Sequence, residues 1–175
     1  HSPLSFEDAR YIFAQLVDAV SHMHSRGISH RDLKDYNVVI DADLKIKPID
    51  LGSSLFVDPR ITPRPLYKDE RYFAGTYLFA SQVHLKTPYS MEQVDVWGMG
   101  CIPFAVLHGF YPFWTSKTIL LGKLSGYPPC DWRTKLDGLW LVIAGCLAAR
   151  PEERIAIQGL QQHGCLQGAR DREKG

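Results

Sequence analysis

His30-Arg31-Asp32-Leu33-Lys34-Asp35-Tyr36-Asn37 is the stretch on which the reading of this chain turns. It places a carboxylate, a lysine and an amide on one short polar loop. Downstream, Val38-Val39-Ile40 and residues 44–49 read as two short strands, with Asp41-Ala42-Asp43 a polar turn between them. Asp50-Leu51-Gly52 follows directly. Upstream, Ser5-Phe6-Glu7-Asp8 has the form of a helix capping box, with Leu4 ahead of it as a staple residue. Apolar residues then recur at Ala9, Ile12, Phe13, Leu16, Val17, Val20 and Met23, one face of a helix that Gly27 ends.

Residues 50–85 are irregular, with Pro59, Pro63 and Pro65 among mixed charges. A second capping box, Ser90-Met91-Glu92-Gln93, opens a helix over 90–107, with Gly109 after it. Asp95 lies inside this helix among apolar residues, in Val94-Asp95-Val96-Trp97-Gly98. A lone buried carboxylate is costly, so Asp95 must accept hydrogen bonds. Residues 110–132 read as a helix with loops, 136–147 as a strongly apolar helix and 155–162 as a short last one. The tail 168–175 is expected to be frayed. Pro48 falls in the second strand, tolerable only at an edge. Pro103 falls inside the Asp95 helix and should kink it or remove a hydrogen bond.

Composition bounds the rest. The chain has 175 residues, enough for one domain with a core, and 45% of them are apolar. Its 20 basic and 19 acidic residues leave a net charge of +1, so neither a nucleic-acid nor a membrane partner is expected. The apolar run 139–149 falls well short of the roughly 20 residues a membrane span needs. Cys101, Cys130, Cys146 and Cys165 form no C-x-x-C pair, which argues against zinc and against a disulfide scaffold. Reduced thiols and an intracellular setting, cytoplasmic or nuclear, are the simpler expectation, with no secretory leader. His1, His22, His24, His84, His108 and His163 show no metal-binding spacing.

The loop resembles the protein-kinase pattern H-R-D-L-x-x-x-N at every fixed position. Five fixed positions should coincide by chance in roughly one chain of this size in ten thousand. Asp50-Leu51-Gly52 resembles D-F-G, with Leu in place of Phe. Gly75-Thr76, Asp95-Val96-Trp97-Gly98 and Arg154 follow in the order found in the C-terminal lobe of eukaryotic Ser/Thr protein kinases. The resemblance covers residues 4–166. It implies a mostly α fold: a protein-kinase-like C-terminal lobe, a helical bundle with short β-hairpins and a long activation segment. The domain would span 1–167, with the N-terminal lobe missing and 168–175 a disordered tail.

The roles follow from the same resemblance. Asp32 would orient and deprotonate a Ser or Thr hydroxyl of a protein substrate, and Lys34 would neutralise charge on the transferring phosphoryl group. Asn37 and Asp50 would hold Mg2+, with ATP as the phosphoryl donor. Arg31 would receive a phosphate on the activation segment, for which Thr62, Tyr67, Tyr72 and Thr76 are candidates. Thr76 would rather line the substrate pocket and contact the catalytic loop. His30, Asp95 and Arg154 would be structural supports, Asp95 by binding backbone amides of the loop.

Departures from the family qualify this expectation. No Gly-rich loop, V-A-I-K lysine or partner glutamate precedes the first helix, so the chain alone should bind ATP poorly and turn over little. The A-P-E motif is absent, its place falling at Ser81-Gln82-Val83, so Arg154 must find another acceptor or reach solvent. Asp35 in place of Pro, with Val38-Val39 and Ser53, resembles the Pim and PAS-domain kinase group. Tyr36 stands where basophilic kinases commonly have Glu, which puts a strict preference for arginine in doubt. The rival expectation is a degenerate, non-catalytic kinase-like module that binds protein partners. A small-molecule phosphotransferase of related fold is a distant third.

Overall fold

The structure is a computed structural model that describes residues 4–63, 65–67, 88–113, 115–120 and 137–170. The first helix, α1 (Phe6–Ser25), starts where Ser5 Oγ accepts the amide of Asp8 at 3.1 Å. Its apolar stripe is buried through Phe13, Leu16, Val17 and Val20. It stops at Gly27, whose φ of 77° is left-handed. A β-carbon there would lie 2.0 Å from the Val57 carbonyl oxygen, so only glycine fits this turn. Strand β1 (Ile28–Ser29) then pairs antiparallel with β4 (Leu55–Phe56).

Between those strands a 3-10 turn (Asp35–Asn37) leads into β2 (Val38–Ile40), which pairs antiparallel with β3 (Ile46–Pro48). Pro48 lies opposite Val38 in a sheet of two strands. Each strand of such a ribbon has one unpaired edge, and that is where a residue without an N–H is tolerated. Asp41 Oδ1 closes the turn by accepting the amides of Asp43 (2.9 Å) and Lys45 (2.8 Å). Gln15 of α1 holds the hairpin from below, donating to Leu44 O at 2.8 Å.

Helix α2 (Met91–His108) is the centre of the molecule. Both halves of its capping box form: Gln93 N donates to Ser90 Oγ (3.2 Å) and Ser90 N to Gln93 Oε1 (2.9 Å). Every residue from Val94 to Phe104 is buried, as fits a helix apolar on all sides. Pro103 does not end it: the helix runs on to His108 and stops at Gly109, φ 75°. Tertiary packing of a fully buried helix outweighs one lost backbone bond.

Helices α3 (Ser116–Leu120), α4 (Asp137–Cys146), α5 (Ile157–Gln162) and α6 (Gly164–Arg170) complete the described elements, with a 3-10 turn at Pro151–Glu153. α2 packs on α1 and α4, and α1 also on α5 and α6. Their shared core includes Phe13, Leu16, Trp97, Phe104, Ile143, Leu160 and Leu166. Cys101 and Cys146 are buried in it, and burial pushes both thiols up, so they act as apolar filling.

Two expectations need correction. The helix at Ile157–Gln162 is not the last, because α6 follows. Residues 168–170, expected to open a loose tail, belong to α6: Ala169 is 5% exposed and Arg170 grips Asp18 of α1 through Nε (2.8 Å) and a terminal nitrogen (2.6 Å). Residues 171–175, and much of 110–132, lie outside the described residues.

His108 is stacked on Phe104, ring centroids 4.2 Å apart, and burial lowers its pKa from 6.5. Well above pH 6.5 neither the folded nor the unfolded state binds this proton. Below it the unfolded state does so first, so stability falls as pH drops. His108→Phe, which keeps the stack, should lose less in melting temperature between pH 7.5 and 5.5 than the parent. An identical loss in both proteins would contradict this.

Candidate active site

Asp32, 8% exposed, follows the left-handed Arg31 (φ 71°) on the loop between β1 and the first 3-10 turn. Its carboxylate is held from two sides. Asn37 Nδ2 donates to Asp32 Oδ2 (3.1 Å) and to the Asp32 carbonyl (2.8 Å). Lys34 Nζ donates to the same Oδ2 at 2.8 Å. The amide of Asn37 is thereby spent, and its oxygen is the acceptor that remains.

Asp50 is brought beside this loop by the hairpin. The Val38–Pro48 register is extended by Ile49 N donating to Asn37 O at 2.9 Å. Ile49 O in turn accepts from His30 Nε2 at 2.9 Å, with His30 fully buried. Asp50 itself is exposed, at φ 62°, and accepts the amide of Gly52 at 3.2 Å. Arg31 and Asp50 are thus two of the three described non-glycine residues with positive φ, the third being Leu44. Such backbone costs on the order of 1–3 kcal/mol and persists only where surroundings enforce it.

Asp95 is one enforcing group. Fully buried on α2, it accepts the His30 amide at Oδ2 (2.8 Å) and the Arg31 amide at Oδ1 (2.7 Å). His24 Nε2 lies 2.7 Å from Oδ2 and, facing a carboxylate, donates. One turn on, Gly98 lets α2 touch the loop: a β-carbon there would lie 2.7 Å from the Leu33 carbonyl oxygen. Tyr111 adds a strut, its hydroxyl donating to Asp35 Oδ1 at 2.8 Å. Burial first, then Asp35, pushes that phenol well above its usual range. Tyr36, next to Asp35, is 80% exposed.

His30, Arg31, Asp32, Lys34, Asn37, Asp50 and Asp95 therefore form one connected site. Arg154 stands apart, under α2. Its guanidinium donates to the carbonyls of Ala148 (2.9 Å), Gln93 (2.9 Å) and Ala149 (3.0 Å) and covers the Trp97 ring at 4.8 Å. Burial lowers its pKa to about 9. Thr76, Tyr72 and Ser81-Gln82-Val83 lie outside the described residues.

Sequence reading missed His24, although its place four residues after Val20 on the apolar face of α1 was a signal. It also missed the Tyr111–Asp35 bond, for which no local signal exists. Among the described residues no group of three or more His, Cys, Asp or Glu side chains could hold a metal ion. The Asn37 side-chain oxygen and the Asp50 carboxylate are the hard oxygens at the loop that could hold one instead. That suits magnesium, which takes few protein ligands when phosphate and water supply the rest.

The family described as Protein kinase domain matches residues 1–166. Relatives include the Bos taurus phosphorylase b kinase gamma catalytic chain, liver/testis isoform, 32% identical over 166 residues, 91% of this chain and 40% of the relative. Sperm motility kinase 3A of Mus musculus is 37% identical over 167 residues, 91% of this chain and 31% of its own length. Serine/threonine-protein kinase PKH2 of Saccharomyces cerevisiae is 36% identical over 117 residues, 64% of this chain and 11% of its own. The chain thus spans at most 40% of the length of these relatives. With a family match over nearly all of its length and a loop built around Asp32, the chain belongs to the protein kinase family.

Proposed function

We propose that the chain is the C-terminal lobe of a Ser/Thr protein kinase that transfers the γ-phosphoryl group of ATP to protein hydroxyls. The observation that carries this is the Asp32 carboxylate, buried and held by Asn37 and Lys34 beside Asp50. The Asp32 carboxylate accepts the proton of the attacking hydroxyl and keeps that oxygen aimed. Lys34 Nζ meets the negative charge of the transferring group from the same side. Asn37 and Asp50 would hold magnesium, which supplies charge neutralisation for the phosphates. The name of the yeast relative supports serine and threonine as acceptors. The narrower likeness to Pim and PAS-domain kinases rests on Asp35, Val38, Val39 and Ser53 alone.

Nothing among these 175 residues resembles a glycine-rich phosphate loop with its strand lysine. The proposal therefore assigns the cover over the nucleotide to residues outside this chain, and the isolated chain turns over little. An intracellular setting belongs to the same proposal.

The test measures label transfer from γ-labelled ATP to Ser, Thr and Tyr peptides by the polypeptide that contains this chain. Asp50→Ala should lower the magnesium-dependent rate by at least about 100-fold. Transfer to Tyr peptides alone would overturn the Ser/Thr assignment. No transfer by the complete polypeptide would favour a module that binds partners without chemistry.

A further inference from the structure

We propose that Tyr111 is a positioning residue for the second half of the catalytic loop, acting through Asp35. Its hydroxyl donates to Asp35 Oδ1 at 2.8 Å. Asp35 opens the 3-10 turn Asp35–Asn37, directly after Lys34.

The two halves of the loop are held differently. The first is tied to α2 by Asp95, which accepts the His30 and Arg31 amides. The second is a short turn with local backbone bonds: Asn37 N donates to Lys34 O at 3.0 Å, and the Val38 amide to Asp35 O. Such bonds set the shape of the turn, not where it sits. Its end is fixed to the hairpin, Ile49 N donating to Asn37 O at 2.9 Å. At its start, Lys34 occupies the cap position without capping the turn and sends its Nζ to Asp32. The Asp35 carboxylate reaches out of the loop instead, and Tyr111 meets it.

The footing of Tyr111 is rigid. It lies just past Gly109, the left-handed end of α2, and just before Pro112 and Phe113, both buried. Pro112 restricts the backbone of the residue that precedes it, and Phe113 stacks on Trp97 of α2 at 4.9 Å. Burial first, then Asp35, raises the phenol pKa, so the hydroxyl remains a donor across the neutral range. The bond therefore registers the start of the turn against the C-terminal end of α2. What it sets is the approach of Lys34, one residue earlier, whose Nζ lies 2.8 Å from Asp32 Oδ2. Without it the turn shifts about its Asn37 end and carries Lys34 away from the line on which it meets the transferring charge.

The test compares Tyr111→Phe, which removes only the hydroxyl, with Asp35→Ala, which removes the acceptor, and Asp35→Asn, whose amide oxygen can still accept. In Tyr111→Phe and in Asp35→Ala, hydrogen exchange at the Asn37 and Val38 amides should rise on the order of tenfold, with the His30 and Arg31 amides unchanged. The phosphotransfer kcat should fall about tenfold in each, with KM for ATP changed by less than about twofold. The variant carrying both Tyr111→Phe and Asp35→Ala should fall no further than either alone, because both remove the same bond. Asp35→Asn should recover most of both readouts.

The rate readout rests on the phosphotransfer reading; the exchange readout does not, so a polypeptide without activity still answers the question. Parental exchange at both amides in a folded Tyr111→Phe would overturn the inference. So would losses that multiply in the double variant, since the two groups would then act apart. Where Tyr111→Phe does not fold, the Asp35 variants decide: exchange raised in Asp35→Ala and restored in Asp35→Asn supports the inference, and equal exchange in the two refutes it.

Discussion

Asp32→Asn should lower phosphotransfer by the polypeptide containing this chain by about 10²–10⁴-fold, the usual contribution of a positioned proton acceptor. The side chain keeps its shape, and its oxygen can still accept from Asn37 Nδ2, now 3.1 Å away. The lost charge weakens the contact with Lys34, which donates to that same oxygen and is itself 25% exposed. The pair is part-buried, and both donors keep an oxygen acceptor, so the melting temperature should move far less than the rate. Rate loss at preserved stability is the informative combination, because it separates chemistry from folding. A variant that transfers phosphate as fast as the parent would remove Asp32 from the mechanism.

Trp97→Ala should cost about 3–5 kcal/mol in denaturant unfolding. Trp97 is fully buried and stacks on Phe113 at 4.9 Å, with the planes 15° apart. It is also the surface over which the buried Arg154 guanidinium lies. Truncation opens a cavity and takes away the aromatic face that compensates part of the cation's desolvation. A domain is stable by only ~5–15 kcal/mol, so this single change consumes a large share. Trp97→Phe, which retains a ring, should lose less. A loss below ~1 kcal/mol for Trp97→Ala would show that the core refills the space, contrary to the packing argued above.

The elements were legible where the signal is local. The apolar stripe from Ala9 to Val20 marks α1, and Ser90 with Gln93 marks the start of α2 through a box that closes within one turn. The polar turn 41–43 marks the hairpin. The loop itself was legible because its chemistry is compressed into consecutive residues: Asp32, Lys34 and Asn37 need no distant partner to meet. Pro103 costs α2 a backbone hydrogen bond, as a proline inside a helix must, yet the helix runs on to His108 because it is buried along most of its length. Gly168, Ala169 and Arg170 misled as a tail because their anchor, Asp18, is 152 residues away.

Neighbouring positions with a fixed period or spacing carry α1, the hairpin, α2, the family and the residues of the loop, and these could be read along the chain. Which groups brace that loop and the helix beneath it follows from long-range packing. His24 meets Asp95 across 71 residues, Tyr111 meets Asp35 across 76, and Arg154 finds a carbonyl of α2 across 61. A buried charge or donor must be satisfied by whatever group the packed helices carry to within hydrogen-bonding distance. That distance is set by how the helices pack, and no spacing along the chain encodes it.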